Sequence, residues 1–229
     1  MERPEPKVGQ DLDDLERLER VRYGTRALHC ALEPLWDELP EPDSKRVLAV
    51  HGFANIVRQH VTAQWVLVQH ELDVSATALV RPTYEALVRA IWALRGAEDA
   101  WVAGFFTPRQ EAVESDAETR KGLDVPAMLE VIARHHPADI HQPLVALKEA
   151  TWRAMHSYVH GGIRPVVQSF VAFPHREAGS LLINANGMLM LATNVVRMAH
   201  GLRSPTLPVL QQQYADCLPN ARVEPTQSA

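Results

Sequence analysis

The sequence lacks the features of a disulfide-rich, zinc-thiolate or low-complexity protein. It has only two cysteines, Cys30 and Cys217, in 229 residues and no C-x-x-C pair, which excludes a disulfide scaffold and a thiolate zinc site. Its 11 glycines and 16 prolines are too few for a collagen-like or low-complexity chain. Residues 1–14 are polar and acidic and contain no apolar core typical of a signal peptide. These absences favour a cytoplasmic protein.

A basic surplus and an aromatic-rich surface are also missing. The 23 basic residues are outnumbered by 28 acidic ones, and the formal net charge is −5. This balance argues against general nucleic-acid binding, and an aromatic content of 6% argues against a base-stacking platform. Much of the surplus acid lies in residues 1–43 and 111–118. A hydrophobic fraction of 46% excludes intrinsic disorder and can supply a large core.

One long uncharged segment raises the question of a membrane span. Residues 178–196 carry no charge over a length close to that of a spanning helix. The segment contains Asn184, Asn186 and Thr193, and asparagine side chains are poorly tolerated facing lipid. No aromatic anchors flank it. We therefore predict a buried core helix and no contact with a membrane.

Apolar residues recur at helical spacing along almost the whole chain, and no alternating β-branched run is present. This pattern predicts an all-α fold, a single bundle of about six to eight helices in one domain over residues 1–219, with a frayed tail at 220–229. Pro82 predicts a kink or a helix start, and 107–121 is predicted to be a mobile loop or an exposed helix. The predicted helices cover residues 11–39, 44–70, 75–95, 97–106, 125–136, 141–169 and 176–201, with a final segment at 209–217.

The most informative segment is 149–164, E-A-T-W-R-A-M-H-S-Y-V-H-G-G-I-R. On a helix its polar side chains fall within an arc of about 80°, and Tyr158 lies on the opposite, apolar side. This polar face carries imidazoles and guanidiniums instead of the usual mixture of Glu and Lys. Its members are Glu149, Arg153, His156, His160 and Arg164.

Three interpretations of this face remain open. It is a solvated surface on which Glu149 pairs with Arg153 one turn away, or His156 and His160 are two metal ligands one turn apart. No glutamate of the H-E-x-x-H type lies between the histidines, and a neighbouring guanidinium repels a cation. In the third interpretation the face handles a phosphodiester, because imidazole transfers protons near neutral pH and guanidinium neutralises phosphate charge.

A second polar row occurs earlier in the chain. Arg81, Glu85 and Arg89 follow one another at four-residue intervals and so share one helix face. The row is an ordinary salt-bridge ladder, or, if it faces Arg153 and His160 on the later helix, it forms a charged pocket within the bundle. In the second case Glu85 organises the site and performs no chemistry, because two arginines strongly favour its charged form.

Three pieces of the sequence carry a resemblance to a known superfamily. Arg153 and His160, separated by six residues, resemble the Arg…His motif of the HEPN (higher-eukaryote and prokaryote nucleotide-binding) superfamily. The segments L-V-R-P-T-Y-E-A-L-V-R at 79–89 and M-H-S-Y-V-H-G-G at 155–162 resemble uncharacterised bacterial proteins of HEPN-like fold. The resemblance implies an all-α bundle and, because many members are RNases, a metal-independent endoribonuclease of toxin or phage-defence type.

The resemblance also implies roles and partners. His160 would act as general base or acid toward a ribose 2′-hydroxyl, and Arg153 would stabilise the phosphorane charge. His156 is the third predicted catalytic residue, and the supporting residues are Glu149, Tyr158, Arg81 and Glu85. Arg153 and His160 lie about 10.5 Å apart along a helix axis, so their tips do not converge within one helix. A shared phosphate would need either the nearer His156 or a second copy of the helix. HEPN RNases are commonly dimers with composite sites, which implies a homodimer here.

The partners expected are an RNA substrate and an antitoxin or other partner protein, with no cofactor and no metal. The alternative is a non-catalytic helical dimer that binds a small ligand, a nucleotide or a partner protein through the same Arg/His face.

Overall fold

A computed structural model describes residues 8–106 and 122–219, and within those ranges the regular structure is helical, with ten α-helices and no strand. The all-α prediction is therefore confirmed. Six of the ten helices have 11 or more residues and four have eight or fewer. The predicted loop or helix at 107–121 and the predicted tail at 220–229 lie outside the described ranges. The helices are α1 (Val8–Asp37), α2 (Lys45–Gln69), α3 (Asp73–Ala78), α4 (Val80–Arg95), α5 (Asp99–Phe105), α6 (Val125–His135), α7 (Ala138–Val159), α8 (Ile163–Gln168), α9 (His175–Ala199) and α10 (Thr206–Gln213).

Helix α9 lies at the centre of the bundle and packs against α1, α2 and α4. By length and composition it could cross a membrane, but 61% of its most apolar window is buried inside the fold. The prediction of a buried core helix at 178–196 is confirmed. The core around it is mostly aliphatic, with Leu182, Ala185 and Val196 fully buried, so removal of apolar surface from water is the main stabilising contribution.

Capping residues and prolines account for several helix starts. The Ser44 hydroxyl accepts a hydrogen bond from Val47 N at 3.2 Å, and the Asp124 carboxylate accepts one from Ala127 N at 2.9 Å. Both contacts satisfy backbone donors that a first helical turn leaves unpaired. Pro82 lies in the first turn of α4, where a missing N–H costs nothing. The segment predicted at 75–95 is therefore two helices, and Pro82 marks a helix start.

The prediction of one long helix at 141–169 is wrong, because α7 ends at Val159 and α8 begins at Ile163. Gly161 adopts a φ of +63°, the left-handed conformation that only glycine enters without strain. Gly162 N then donates to Ser157 O at 2.8 Å, a bond that closes the end of α7. His160 is the C-cap of α7 and Arg164 belongs to α8. The five polar residues predicted on one helix face therefore lie on two elements.

A buried amide connects α1, α9 and the C-terminal 3-10 turn Ala215–Cys217. Asn186 on α9 is fully buried. Its Nδ2 donates to Thr25 Oγ1 at 2.8 Å and to Cys217 O at 2.9 Å, and its Oδ1 lies 3.3 Å from His29 Nε2. The asparagine that argued against a membrane span thus joins three separate parts of the chain.

Candidate functional site

The two polar rows singled out in the sequence meet where α4 packs against α7. Arg81 on α4 donates from Nε to Glu85 Oε1 at 2.8 Å. Its Nη1 lies 2.7 Å from His156 Nδ1 and 3.5 Å from His160 Nε2. One guanidinium therefore connects a carboxylate on its own helix with both imidazoles at the end of α7. Glu85 and His156 thus share Arg81 as a partner, and both histidines lie exposed at the surface.

The contact with Arg81 fixes the tautomer of His156. A guanidinium has only donors, so His156 Nδ1 must accept the 2.7 Å hydrogen bond and the ring proton must lie on Nε2. The contact to His160 Nε2 is at the limit of hydrogen-bonding distance and constrains that ring less. The two ring centroids are 4.4 Å apart with the planes inclined at 52°. The rings are close enough to act on the same small group.

The indole ring of Trp152 packs against the Arg81 guanidinium. The Arg81 Cζ lies 4.8 Å from the centroid of the Trp152 ring, a cation–π contact. Tyr84 packs edge-on against the same indole at 6.2 Å, and its hydroxyl donates to Leu144 O at 2.9 Å. Burial raises the pKa of Tyr84, which keeps this hydroxyl protonated as a donor. The buried tyrosine thus fixes the packing of α4 on α7 beneath the site.

Burial differs across the cluster in a way that suits binding. The Arg81 and Glu85 side chains are only 21% and 29% exposed, so their positions are constrained by packing. His156 and His160 are exposed at the surface. A fixed, partly desolvated charge behind two accessible imidazoles can bind an anion from solvent.

The other predicted site residues are distributed as follows. The side chain of Arg153 lies outside the described part of the structure, although its backbone is in α7. Glu149 is exposed on α7. Tyr158 is half-buried, and burial together with the nearby Glu177 carboxylate raises the pKa of Tyr158. The structure therefore brings together Arg81, Glu85, His156 and His160, while Arg164 is separated from them by the break at Gly161.

An apolar surface next to the histidines was not predicted. Phe170 is 84% exposed and Ile163 is 74% exposed. The signal was present in the sequence as the uncharged run at 165–173, but the expectation of one continuous helix concealed it. We call this region the α8 surface; it consists of Val159, Ile163, Val166, Val167, Phe170 and Val171.

The remaining histidines near α4 and α9 have structural partners. His136 is buried and its Nε2 lies 3.0 Å from Ile91 O, and His51 Nδ1 lies 3.2 Å from His200 Nε2. Among the described residues, no group of three or more His, Cys, Asp or Glu side chains has the arrangement of a metal site.

Comparison with known proteins places the chain in one family. A search of curated proteins and a search of solved structures each found no match. Residues 54–220 match a family of unknown function, DUF6988, and this range contains both helices of the site. Because the match covers well over half of the sequence, the chain belongs to the DUF6988 family.

Proposed function

We propose that this protein is a HEPN-like, metal-independent endoribonuclease whose site is the cluster of Arg81, His156 and His160. The observation that carries the proposal is the position of one guanidinium within hydrogen-bonding distance of two exposed imidazoles. Imidazole can transfer the protons and guanidinium can stabilise the charge in a metal-free transesterification of a phosphodiester. The HEPN resemblance of the Arg153…His160 motif points to the same chemistry.

In the proposed reaction His160 accepts the proton of a ribose 2′-hydroxyl, because its ring is the less constrained of the two. The 2′-oxygen attacks phosphorus, the bond from phosphorus to O5′ breaks, and the proton held by His160 passes to the departing O5′. The products are a 2′,3′-cyclic phosphate and a 5′-hydroxyl. Arg81 and the Nε2–H of His156 stabilise the negative charge on the phosphorane oxygens, assisted by Arg153.

The α8 surface supports the further proposal that the protein is a homodimer. A fully exposed apolar side chain presents roughly 150 Å². With their exposed fractions, the six apolar side chains of this surface together expose about 500 Å². A standard interface buries about 800 Å² per partner, of which about two thirds is apolar in homodimers. A pair of α8 surfaces therefore has the apolar area of one such interface. It begins beside His160, so pairing would bring two copies of the site together.

An alternative function is supported by the same surface. A non-catalytic helical dimer would use the Arg81 and histidine cluster to bind a small ligand or a nucleotide, or to dock a partner protein beside the α8 surface. The cytoplasmic toxin or phage-defence setting, with an antitoxin as partner, rests on the HEPN resemblance. The two functions differ in whether phosphodiester bonds are broken.

The proposal predicts cleavage of mixed RNA by the purified protein in the presence of EDTA. His160→Ala and Arg153→Ala should each lower the cleavage rate by about 10²-fold or more, because they remove the base and a phosphorane-stabilising charge. Gel analysis of RNA at equal protein concentrations measures the rates. His135→Ala is the matched control, since His135 is exposed at the end of α6 and lies almost the whole length of α7 away from the site.

Two results would overturn the endoribonuclease proposal. One is intact RNA after prolonged incubation with folded wild-type protein. The other is cleavage that persists unchanged in the His160 and Arg153 variants, which would reveal a contaminating nuclease. Intact RNA together with saturable nucleotide binding would favour the non-catalytic alternative.

The homodimer proposal predicts that Phe170→Glu converts a dimer into a monomer. Placing a carboxylate at the most exposed side chain of the α8 surface would force two charges into an apolar interface. Sedimentation velocity measures the mass, and Val209→Glu on α10, also at an exposed apolar side chain, is the control. A wild-type protein that sediments as a monomer would contradict the proposal, as would a Phe170→Glu variant that remains a dimer.

A further inference from the structure

A concave region lies between α1 and α2, on helices that contribute nothing to the site at α4 and α7. It is a cleft of about 670 Å³, within the range of ligand-binding clefts in proteins. Its apolar floor includes Leu32, Trp36 and Leu189, all buried. The floor holds its shape because Trp36 Nε1 donates to Thr193 Oγ1 at 3.0 Å on α9.

The walls of the cleft carry an unbalanced set of charges. Glu33 and Asp37 lie one turn apart on α1, and both are exposed. Neither forms an ion pair within the described part of the chain. On α2, Arg58 lies over the face of Trp36 at 4.9 Å and is the one guanidinium in the lining. Two carboxylates against one guanidinium leave a net charge of −1, which favours a cationic ligand.

His29 adds a hydrogen-bond acceptor to the cleft. Because Asn186 Nδ2 already donates twice, the Asn186 Oδ1 must accept from His29 Nε2–H. The proton is therefore on Nε2, and Nδ1 is an acceptor with no hydrogen-bond partner among the described residues. Burial lowers the pKa of His29, which keeps the ring neutral. An acceptor next to two carboxylates suits a ligand that is rich in N–H donors.

We infer that this cleft binds a small organic molecule with two cationic groups, which pair with Glu33 and Asp37 and whose N–H donors reach His29. Glu33 and Asp37 are separated by about 6 Å of rise along α1, a spacing that the two cationic ends of a short aliphatic diamine or amidine can match. Such a ligand comes from two sources, a free diamine or a basic amino acid. The amino acid has in addition a carboxylate that Arg58 can bind.

Isothermal titration with agmatine and with arginine tests the inference, because the two compounds differ by a single carboxylate. We expect saturable binding of one ligand molecule per chain. The double variant Glu33→Gln/Asp37→Asn should weaken it at least about tenfold, since both paired charges are lost. The double variant Asp13→Asn/Glu16→Gln removes the same two charges from exposed positions elsewhere on α1 and should bind as the wild type does.

Arg58→Gln separates the two sources. Tighter binding of arginine than of agmatine, reduced by Arg58→Gln to the agmatine level, assigns the cleft to a basic amino acid. Equal binding of both, unchanged in Arg58→Gln, assigns it to a diamine. Absence of saturable binding by either compound overturns the inference, and so does binding that survives Glu33→Gln/Asp37→Asn. None of these outcomes depends on RNA cleavage at Arg81 and His156.

Discussion

Arg81→Ala should lower the rate constant for RNA cleavage by about 10²–10³-fold while the protein stays folded. The substitution removes the guanidinium that contacts both imidazoles, and with it the hydrogen bond that fixes the His156 tautomer. It also leaves Glu85 without its 2.8 Å partner on α4. The loss should appear in kcat more than in KM, because the charge acts on the phosphorane. Single-turnover cleavage of a labelled RNA in EDTA measures it.

Two further variants make the Arg81 prediction specific. Arg81→Lys keeps the charge but lacks the planar fork that reaches several acceptors, so we expect an intermediate rate. Arg95→Ala removes an exposed arginine from the other end of α4 and should cleave at the wild-type rate. A wild-type rate in Arg81→Ala would contradict the assignment of this residue to the site. Equal losses in Arg81→Ala and Arg95→Ala would point to a general electrostatic effect.

Asn186→Leu should lower the free energy of unfolding by about 3 kcal/mol, the largest stability effect we expect from a single polar side chain. The Thr25 hydroxyl, the Cys217 carbonyl and His29 would all lose a buried partner at once. A leucine side chain has a similar volume but has no polar atom that could replace these contacts. Urea unfolding should show a lower midpoint with an unchanged slope.

Asn184→Leu is the control for the stability prediction. Asn184 lies on the same helix two residues away and is only half-buried, so its replacement should change the free energy of unfolding by no more than about 0.5 kcal/mol. An Asn186→Leu variant as stable as the wild type would show that water or backbone shifts satisfy the three groups.

Local signals in the sequence predicted most of the fold. Pro82 and the uncharged run at 178–196 indicated a helix start and a core helix, and both signals lie within one segment of the sequence. The break at Gly161 was missed because apolar residues keep a helical spacing across it. A glycine in the left-handed conformation ends a helix even where the apolar spacing continues. The backbone conformation of a glycine cannot be read from the sequence.

The candidate site was predictable only in pieces. The Arg81–Glu85 row and the His156–His160 pair were each visible as helical spacing. Their meeting depends on how α4 packs against α7, which is set by tertiary contacts such as the Tyr84 hydroxyl on Leu144 O. The contact of Trp152 with the guanidinium depends on the same packing.

The chemistry of the cleavage products tests the central claim most directly. A DNA oligonucleotide that contains a single ribonucleotide offers one 2′-hydroxyl, the nucleophile that His160 is proposed to activate. Incubated with the protein in EDTA, it should be cut only after that ribonucleotide, leaving a 2′,3′-cyclic phosphate and a 5′-hydroxyl detectable by mass spectrometry. An oligonucleotide that stays intact, or is cut at deoxynucleotides, would contradict the account.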